Sequence, residues 1–220
     1  MKSIYQVKKI SENIVVDANW NKPHYEEVVP LDIDNFMGNR PKFFPRAQAK
    51  VLYNNENIFV IFKVVDRYVR AIETNYCGKV WEDSCVEFFF SPGTNEGYFN
   101  IEVNCIGTVL FKHQSVPHEN VQAIELTDFK KMEFAHTLPK KIIEPEREEQ
   151  IKWIMEYKLP INILEKYSLI KKPEPGVKWF CNFYKCSENN SNPHWLTWAP
   201  IENEKPDFHK PEYFGILEFN

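Results

Sequence analysis

The sequence has few glycines and no excess of positive charge. Its 220 residues include seven glycines, and neither of the glycine-rich patterns that cradle nucleotide phosphates, GxGxxG and GxxxxGK[ST], occurs. The 27 Lys and Arg are outnumbered by 31 Asp and Glu, which gives a net charge of −4. A chain without a positive field holds a polyanion weakly. We therefore expect neither a nucleotide-dependent enzyme nor a nucleic-acid partner.

Long apolar runs are also missing. The longest, at 58–62 and 88–90, are far shorter than the roughly 20 residues of a membrane helix. The first ten residues alternate between charged and apolar types, unlike the continuous apolar stretch of a signal peptide. The sequence thus predicts no membrane partner and shows no export signal.

The residue patterns of common catalytic centres are absent too. The six histidines show no HExxH motif, no GxSxG occurs, and the cysteines form no CxxC pair. The sequence therefore predicts no required cofactor. It predicts that most of the five cysteines are buried free thiols, because unpaired cysteine behaves as a small hydrophobe. The five cysteines are Cys77, Cys85, Cys105, Cys181 and Cys186.

A structural calcium ion is one of two interpretations of the loop aspartates. Asp17, Asp32, Asp34 and Asp66 lie near the ends of predicted strands. Calcium prefers such oxygen ligands. Solvated loop carboxylates would produce the same pattern, and both interpretations stay open at this point.

Aromatic residues are abundant, at 15% of the chain, and strand-like runs separated by polar turns dominate the pattern. Segments 47–53 and 58–65 flank a polar turn and predict one hairpin. Segments 84–90 and 98–104 flank a turn at 91–97 and predict a second. The sequence indicates an all-β fold, an antiparallel β-sandwich or barrel.

The rest of the chain fits one domain over residues 1–220, since no repeat or linker divides it. Further strands are predicted at 151–159, 178–185 and 215–219. A short helix is predicted at 160–167, and we expect at most one or two short helices in total. The segment near 112–150 has poor periodicity and predicts a long irregular insertion.

The two-residue period of a strand assigns side chains to faces. If Val86, Phe88 and Phe90 enter the core, then the residues between and beside them lie on the opposite, outer face. These are Cys85, Glu87 and Phe89. The same alternation applies to the later strands. It places Tyr98, Asn100, Glu102, Asn104, Asn182 and Tyr184 on the outer face.

An outer face that combines aromatic rings, amides and carboxylates suits a neutral polyol. Sugar C–H groups stack on rings, and hydroxyls need paired donors and acceptors. Two other functions remain open. Glu87 and Glu102 could serve as the acid and base of a glycoside hydrolase. The sandwich could also be a protein-interaction module.

Several segments, taken in order, resemble the family 9 carbohydrate-binding modules. They are VDANW at 16–20, WEDSCVEFFF at 81–90, YFNIEVN at 98–104, WFCNFYK at 179–185, WAP at 198–200 and PDFHKPEYFG at 206–215. The resemblance spans nearly the whole chain. It implies a distorted jelly-roll sandwich that binds a mono- or oligosaccharide without catalysis, in connection with polysaccharide or oligosaccharide breakdown.

The resemblance also implies a binding site in which a sugar ring lies between two aromatic side chains, at the positions of Trp81 and Phe208. The polar positions that it implies are Glu87, Glu102, Asn104, Asn182 and Tyr184. Where a member of the family carries an arginine on the second strand, this chain carries Glu102. That reversal of charge puts specificity for a reducing end in doubt.

The two indications of cellular compartment conflict. Free cysteines and the missing signal slightly favour the cytoplasm, whereas capture of sugars from polymers is usually an extracellular task. The prediction therefore leaves the compartment open.

Overall fold

A computed structural model describes residues 2–93 and 96–220. The described strands are β1 (Ile4–Lys9), β2 (Leu31–Asp32), β3 (Asn35–Met37), β4 (Arg46–Tyr53), β5 (Asn57–Asp66), β6 (Val69–Ala71), β7 (Cys85–Ser91), β8 (Tyr98–Asn104), β9 (Val109–Val116), β10 (Glu119–Ala123), β11 (Glu133–His136), β12 (Ile143–Arg147), β13 (Ile151–Pro160), β14 (Lys178–Ser187), β15 (His194–Thr197) and β16 (Gly215–Phe219). The described α-helices are α1 (Pro23–Glu26), α2 (Leu126–Phe129) and α3 (Ile161–Leu164). Short 3-10 turns cover Val80–Glu82 and Pro211–Tyr213.

Most of the described strands form two curved sheets that β1 joins, and β6 and β12 pair separately as a third, two-stranded sheet. The first sheet has the order β10-β9-β8-β7-β14-β16-β1, and the second has the order β1-β4-β5-β13-β11. The first four residues of β1 pair with β16 and its last two pair with β4, in both cases in parallel. The other strand pairings described are antiparallel. This confirms the predicted β-sandwich, with the two parallel pairings of β1 as an addition.

Both predicted hairpins are present. β4 and β5 pair from Arg46 to Tyr53 around a turn in which Asn54 Oδ1 accepts the backbone N–H of Glu56 and Asn57 at 3.0 and 2.8 Å. An asparagine side chain that bonds two residues ahead favours such a turn. β7 pairs with β8, and residues 94 and 95 of the predicted turn between them lie outside the described residues.

The main core lies between the sheets and contains the predicted inward residues. Phe88 stacks on Phe90 and on Phe183, with ring centroids 4.6 Å apart in each pair. Val86 and Phe99 belong to the same apolar cluster. Offset stacking of rings adds to the energy of apolar burial, so these contacts join β7 to β14. Phe183 also contacts Phe62 of β5, with ring centroids 6.0 Å apart, and this contact links the two sheets.

The outer face of the first sheet is buried rather than open to solvent. Chain 201–214 contributes Ile201, Phe208 and Phe214 to a second apolar cluster, together with Phe89 and Tyr184 of the sheet. The two-residue period of a strand predicts which side chains lie on this outer face, but it does not predict which segments of the chain cover it. The cover decides which outer side chains can meet a ligand.

The predicted irregular insertion near 112–150 was wrong. It contains the end of β9, the strands β10, β11 and β12, and helix α2. β10 forms an edge of the first sheet and β11 an edge of the second. All five residues of β10 are exposed, and such polar edge strands lack the apolar alternation that identifies a strand in sequence.

The helices are few and short, as the sequence predicted, although three were found where one or two were expected. The predicted helix at 160–167 appears as α3, Ile161–Leu164. None of the described helices has the length and apolar character needed to cross a membrane.

Candidate functional site

A cavity of about 400 Å³ is bordered by the outer face of the first sheet and by the loop at 206–209. β7, β8, β9 and β14 bring their outward side chains to it because they are neighbours in the sheet. The lining residues include Glu87, Phe89, Asn100, Glu102, Leu110, Lys112, Gln114, Cys186 and Glu188 from the strands and from the loop that follows β14, and Trp81, His118, Trp195, Asp207, Phe208 and His209 from the connections and β15. The cavity combines aromatic and polar groups in a partly enclosed space.

The structure brings together four of the seven site residues that the resemblance implied. Trp81, Glu87, Glu102 and Phe208 all line the cavity. Glu87 and Glu102 lie directly opposite each other on β7 and β8. Trp81 lies in the 3-10 turn that precedes β7.

The other three lie on the same face but are not among the lining residues. Asn104 donates to Asp83 Oδ2 at 2.8 Å, and Asn182 donates to the carbonyl of Ala199 at 2.9 Å. Tyr184 donates to the carbonyl of Phe208 at 3.0 Å. These side chains are fully buried, and their hydrogen bonds serve the loops that cover the sheet.

Tyr184 nevertheless supports the cavity from beneath. Its ring stacks on Phe208 with centroids 4.0 Å apart and planes inclined by 10°. One face of Phe208 is therefore covered by Tyr184. The stack and the hydrogen bond together fix the position of the Phe208 loop.

Trp195 also lines the cavity, and neither the strand pattern nor the family resemblance assigned it a role. It pairs in register with Cys186, which pairs in turn with Cys85 of β7. Residues paired across neighbouring strands share a face, so Trp195 lies on the face of Glu87. Its indole N–H donates to Glu188 Oε1 at 2.9 Å. Alternation within β15 shows that Trp195 points to the opposite side from its neighbours in the strand. Which of the two sides faces the cavity depends on how β15 pairs with β14, and the sequence does not show this pairing.

Hydrogen bonds link the polar side chains of the cavity floor. Asn100 donates to Glu102 Oε1 at 2.8 Å, and Gln114 donates to Asn100 Oδ1 at 3.1 Å. The Tyr98 hydroxyl lies 2.7 Å from Nδ1 of His209. A connected network of this kind restricts side-chain rotation and holds the floor in one arrangement.

The two buried carboxyl groups retain protons more strongly than ordinary glutamates. Glu87 is 2% exposed and Glu102 is 4% exposed. Burial, followed by the neighbouring Cys186 and Glu102, raises the pKa of Glu87 well above its usual value. Burial raises the pKa of Glu102 to about 7, against the opposing effects of Asn100 and Lys112. Near neutral pH the pair therefore carries less than its full negative charge.

This raised pKa makes folding stability depend on pH. The folded protein keeps on Glu102 a proton that the unfolded chain releases above about pH 4.5, so wild-type stability falls as pH rises from there through about 7. A glutamine at this position does not titrate. The difference in unfolding free energy between Glu102→Gln and wild type should therefore change with pH. From pH 4.5 to pH 8 we expect it to shift by on the order of 3 kcal/mol in favour of the variant. Urea unfolding at three pH values measures the difference.

Glu174→Gln, at an exposed position, is the control for that experiment and should follow the wild-type profile. Subtracting the wild-type profile removes the contribution of His209, whose pKa burial and His118 lower to about 4. If the unfolding free energies of Glu102→Gln and wild type changed in parallel with pH over this range, the raised pKa of Glu102 would be contradicted.

The four aspartates that raised the question of calcium do not come together within residues 2–93 and 96–220. Asp66 pairs with Lys185 at 2.9 Å, and Asp17 pairs with Lys22 at 2.9 Å. In the same part of the chain, one group of three side chains has the spacing of metal ligands. Its members are Cys85, Glu87 and Cys186.

Comparison with known proteins gives a family and a fold. Residues 19–219 match the model of carbohydrate-binding family 9. A comparison with curated protein sequences found no match. The whole chain superposes on the whole of a protein from Bacteroides uniformis ATCC 8492, with 27% identity and a TM-score of 0.89.

Two solved structures of a family 9 module from Caldicellulosiruptor kristjanssonii share the fold at 12% identity. In the complex of that module with cellotriose, the match covers 99% of this chain and 93% of the other, with a TM-score of 0.64. In its complex with glucose the coverage is 99% and 96%, with a TM-score of 0.65. Family 9 is a family of non-catalytic binding modules. Because the family model matches 19–219, nearly the full length, this chain belongs to carbohydrate-binding family 9.

Proposed function

We propose that the chain binds a mono- or oligosaccharide, without catalysis, in the cavity bordered by Trp81 and Trp195. One observation carries this proposal: two half-buried indoles and a floor of hydrogen-bonded polar side chains line the same cavity. Its volume of about 400 Å³ lies within the usual range for small-molecule sites, about 300–1,000 Å³.

The aromatic side chains supply the apolar contacts that a sugar ring needs. Trp81 and Trp195 present indole surface to the cavity, and Phe208 adds a third ring whose rear face is covered by Tyr184. The C–H faces of a pyranose pack on such rings. In this proposal Trp195 takes part in the stacking that the sequence resemblance assigned to Trp81 and Phe208 alone.

The floor supplies the polar contacts. A protonated carboxyl group offers one O–H donor together with acceptor oxygens, and a side-chain amide offers both kinds of group. Glu87, Glu102, Asn100 and Gln114 therefore match the mixed donor and acceptor character of sugar hydroxyls. Their low net charge favours a neutral sugar over an acidic one.

Glucose and β-linked gluco-oligosaccharides are the first ligands to test, because relatives of the same fold were solved with glucose and cellotriose. We propose that such binding serves the breakdown of polysaccharides or oligosaccharides. In this role the module holds a sugar chain while an enzyme acts on it.

Hydrolysis by Glu87 and Glu102 is less consistent with the geometry. A glycosidase places its two carboxyl groups on either side of the scissile bond and keeps one of them ionised. Here the two are neighbours on adjacent strands of one floor, and burial raises the pKa of both. Two carboxyl groups with raised pKa values on the same side of a ligand suit binding.

Glu87→Ala tests the proposal at the polar floor. We expect binding of glucose or cellotriose to weaken by roughly 10- to 100-fold, because the variant removes a buried hydrogen-bonding group at the ligand. Tryptophan fluorescence titration measures the affinity, since Trp81 and Trp195 report directly on the cavity. Each sugar is paired with its reduced alditol, which separates binding of the reducing end from binding along the chain.

Glu174→Ala is the control and should bind as wild type does. Circular dichroism confirms that both variants are folded. If Glu87→Ala binds every wild-type ligand with unchanged affinity, the polar site lies elsewhere. If the wild type binds no sugar of the panel, the saccharide proposal is wrong and an interaction module becomes the better explanation.

A further inference from the structure

Three potential metal ligands converge at the floor of the cavity. Cys85 of β7 and Cys186 of β14 are partners in register, and Glu87 lies two residues beyond Cys85 on the same face of β7. The two sulfur atoms and a carboxylate oxygen of Glu87 all lie within 4.8 Å of one another. Cys186 Sγ lies 3.0 Å from Glu87 Oε1. All three side chains are buried.

The spacing suits a tetrahedral ion. Zinc bonds of about 2.0–2.3 Å place neighbouring tetrahedral ligands roughly 3–4 Å apart. The three donor atoms can therefore reach one ion with small side-chain rotations. Strand pairing fixes the backbone of both cysteines, so the donor set is assembled by the fold rather than by a mobile loop.

The chemistry of the donors selects the kind of ion. Two thiolates favour a borderline or soft metal, and a single carboxylate is compatible with zinc, whereas calcium and magnesium prefer all-oxygen sites. Because Glu87 and Cys186 line the cavity, a fourth coordination position faces it and can hold water. The other described cysteines, Cys77, Cys105 and Cys181, are not part of the group.

The electrostatic setting is consistent with a bound cation. Glu87 and Glu102 are buried side by side, and no Lys or Arg forms an ion pair with either of them among the described residues. Each ligand loses its proton on binding a metal, so two thiolates and a carboxylate would balance the charge of a dication held here. We propose that Cys85, Glu87 and Cys186 form a zinc-binding site at the floor of the cavity. This site stands independently of saccharide binding.

Glu87 belongs to both sites, which affects the design of the experiments. A zinc ion bound there withdraws this carboxylate from a sugar. Saccharide titrations are therefore run in the presence of a chelator, and metal titrations without sugar. Failure of one proposal then leaves the other unaffected.

The test uses the reduced, chelator-washed full chain titrated with Co²⁺ and, by equilibrium dialysis, with Zn²⁺. We expect one ion per chain, a thiolate-to-cobalt charge-transfer absorption in the near ultraviolet, and affinity that tightens as pH rises. Cys186→Ser and Cys85→Ser should each weaken zinc binding at least 100-fold and remove the charge-transfer absorption. Thermal melts confirm that the variants fold.

Cys77→Ser is the matched control, because this half-buried thiol lies outside the cluster, and it should bind zinc as wild type does. Absence of the charge-transfer absorption and of retained zinc in the wild type would overturn the proposal. So would zinc binding that both cluster variants retain, since the ion would then lie on other groups of the chain.

Discussion

Trp81→Ala is expected to weaken saccharide binding by roughly 30- to 1,000-fold, which corresponds to about 2–4 kcal/mol. Trp81 is half-buried at the wall of the cavity and packs against the second apolar cluster. Its indole therefore begins partly ordered, and little conformational entropy is lost when a sugar ring packs on it. Alanine removes this surface and widens the cavity. Isothermal titration calorimetry with cellotriose measures the change.

Phe180→Ala is the control for this prediction. Phe180 is an exposed aromatic residue of β14, the same strand that carries Cys186, but it does not line the cavity. Its removal should leave the affinity unchanged. If Trp81→Ala binds cellotriose as tightly as wild type while Phe180→Ala binds weakly, the saccharide lies on another part of the sheet.

Asp66→Ala is expected to cost about 3–5 kcal/mol of unfolding free energy, because it leaves a buried ammonium group without its counter-charge. Asp66, Lys185 and His194 are all fully buried. Lys185 Nζ lies 2.9 Å from Asp66 Oδ2 and 2.7 Å from His194 Nε2. The three residues join β5 of the second sheet to β14 and β15 of the first. Urea unfolding measures the loss.

Two further variants keep this prediction testable if Asp66→Ala does not fold. The double variant Asp66→Leu with Lys185→Met removes both charges and should recover most of the stability, since a buried ion pair can often be replaced by apolar residues. Glu218→Ala removes the carboxylate that pairs with Lys178 at the protein surface and should change the unfolding free energy little, because solvent screens such surface pairs. A loss for Asp66→Ala as small as that for Glu218→Ala would contradict the role of the buried ion pair.

The buried ion pair also matters for the site. Lys185 precedes Cys186 and donates to its carbonyl at 2.8 Å. His194 precedes Trp195 in β15. Strand alternation sends Lys185 and His194 to the core and sends Cys186 and Trp195 to the cavity. The buried charged groups therefore fix the parts of β14 and β15 from which Cys186 and Trp195 project into the cavity.

The faces of the central strands were predictable because period two depends only on local sequence. Val86, Phe88 and Phe90 entered the core as predicted, and Glu87 lies on the opposite face, lining the cavity. Such alternation is clear where one face is strongly apolar. The family resemblance added Trp81, a turn residue that periodicity cannot place.

The cover over the outer face could not be predicted. Asn104, Asn182 and Tyr184 lie on the same face of the sheet as Glu87. Their side chains nevertheless donate hydrogen bonds to a neighbouring side chain and to loop carbonyls. Whether an outward residue meets a ligand depends on which loop folds over it. Loop paths follow from tertiary contacts that short sequence patterns do not encode.

Long-range register was equally hidden from the sequence. The closeness of Cys85 to Cys186 and the position of Trp195 both follow from pairings between β7, β14 and β15. Cys85 and Cys186 are about a hundred residues apart in the chain, and a shift of one residue in either strand would turn a side chain to the other face. The polar edge strand β10 escaped prediction because all of its residues are exposed.

The most direct test of the saccharide site is a crystal structure of the chain with cellotriose bound. Our account predicts a sugar ring in the cavity, in contact with the indoles of Trp81 and Trp195 and hydrogen-bonded to Glu87 or Glu102. A sugar bound at another surface, or an empty cavity at a saturating concentration of a ligand that binds in solution, would contradict it.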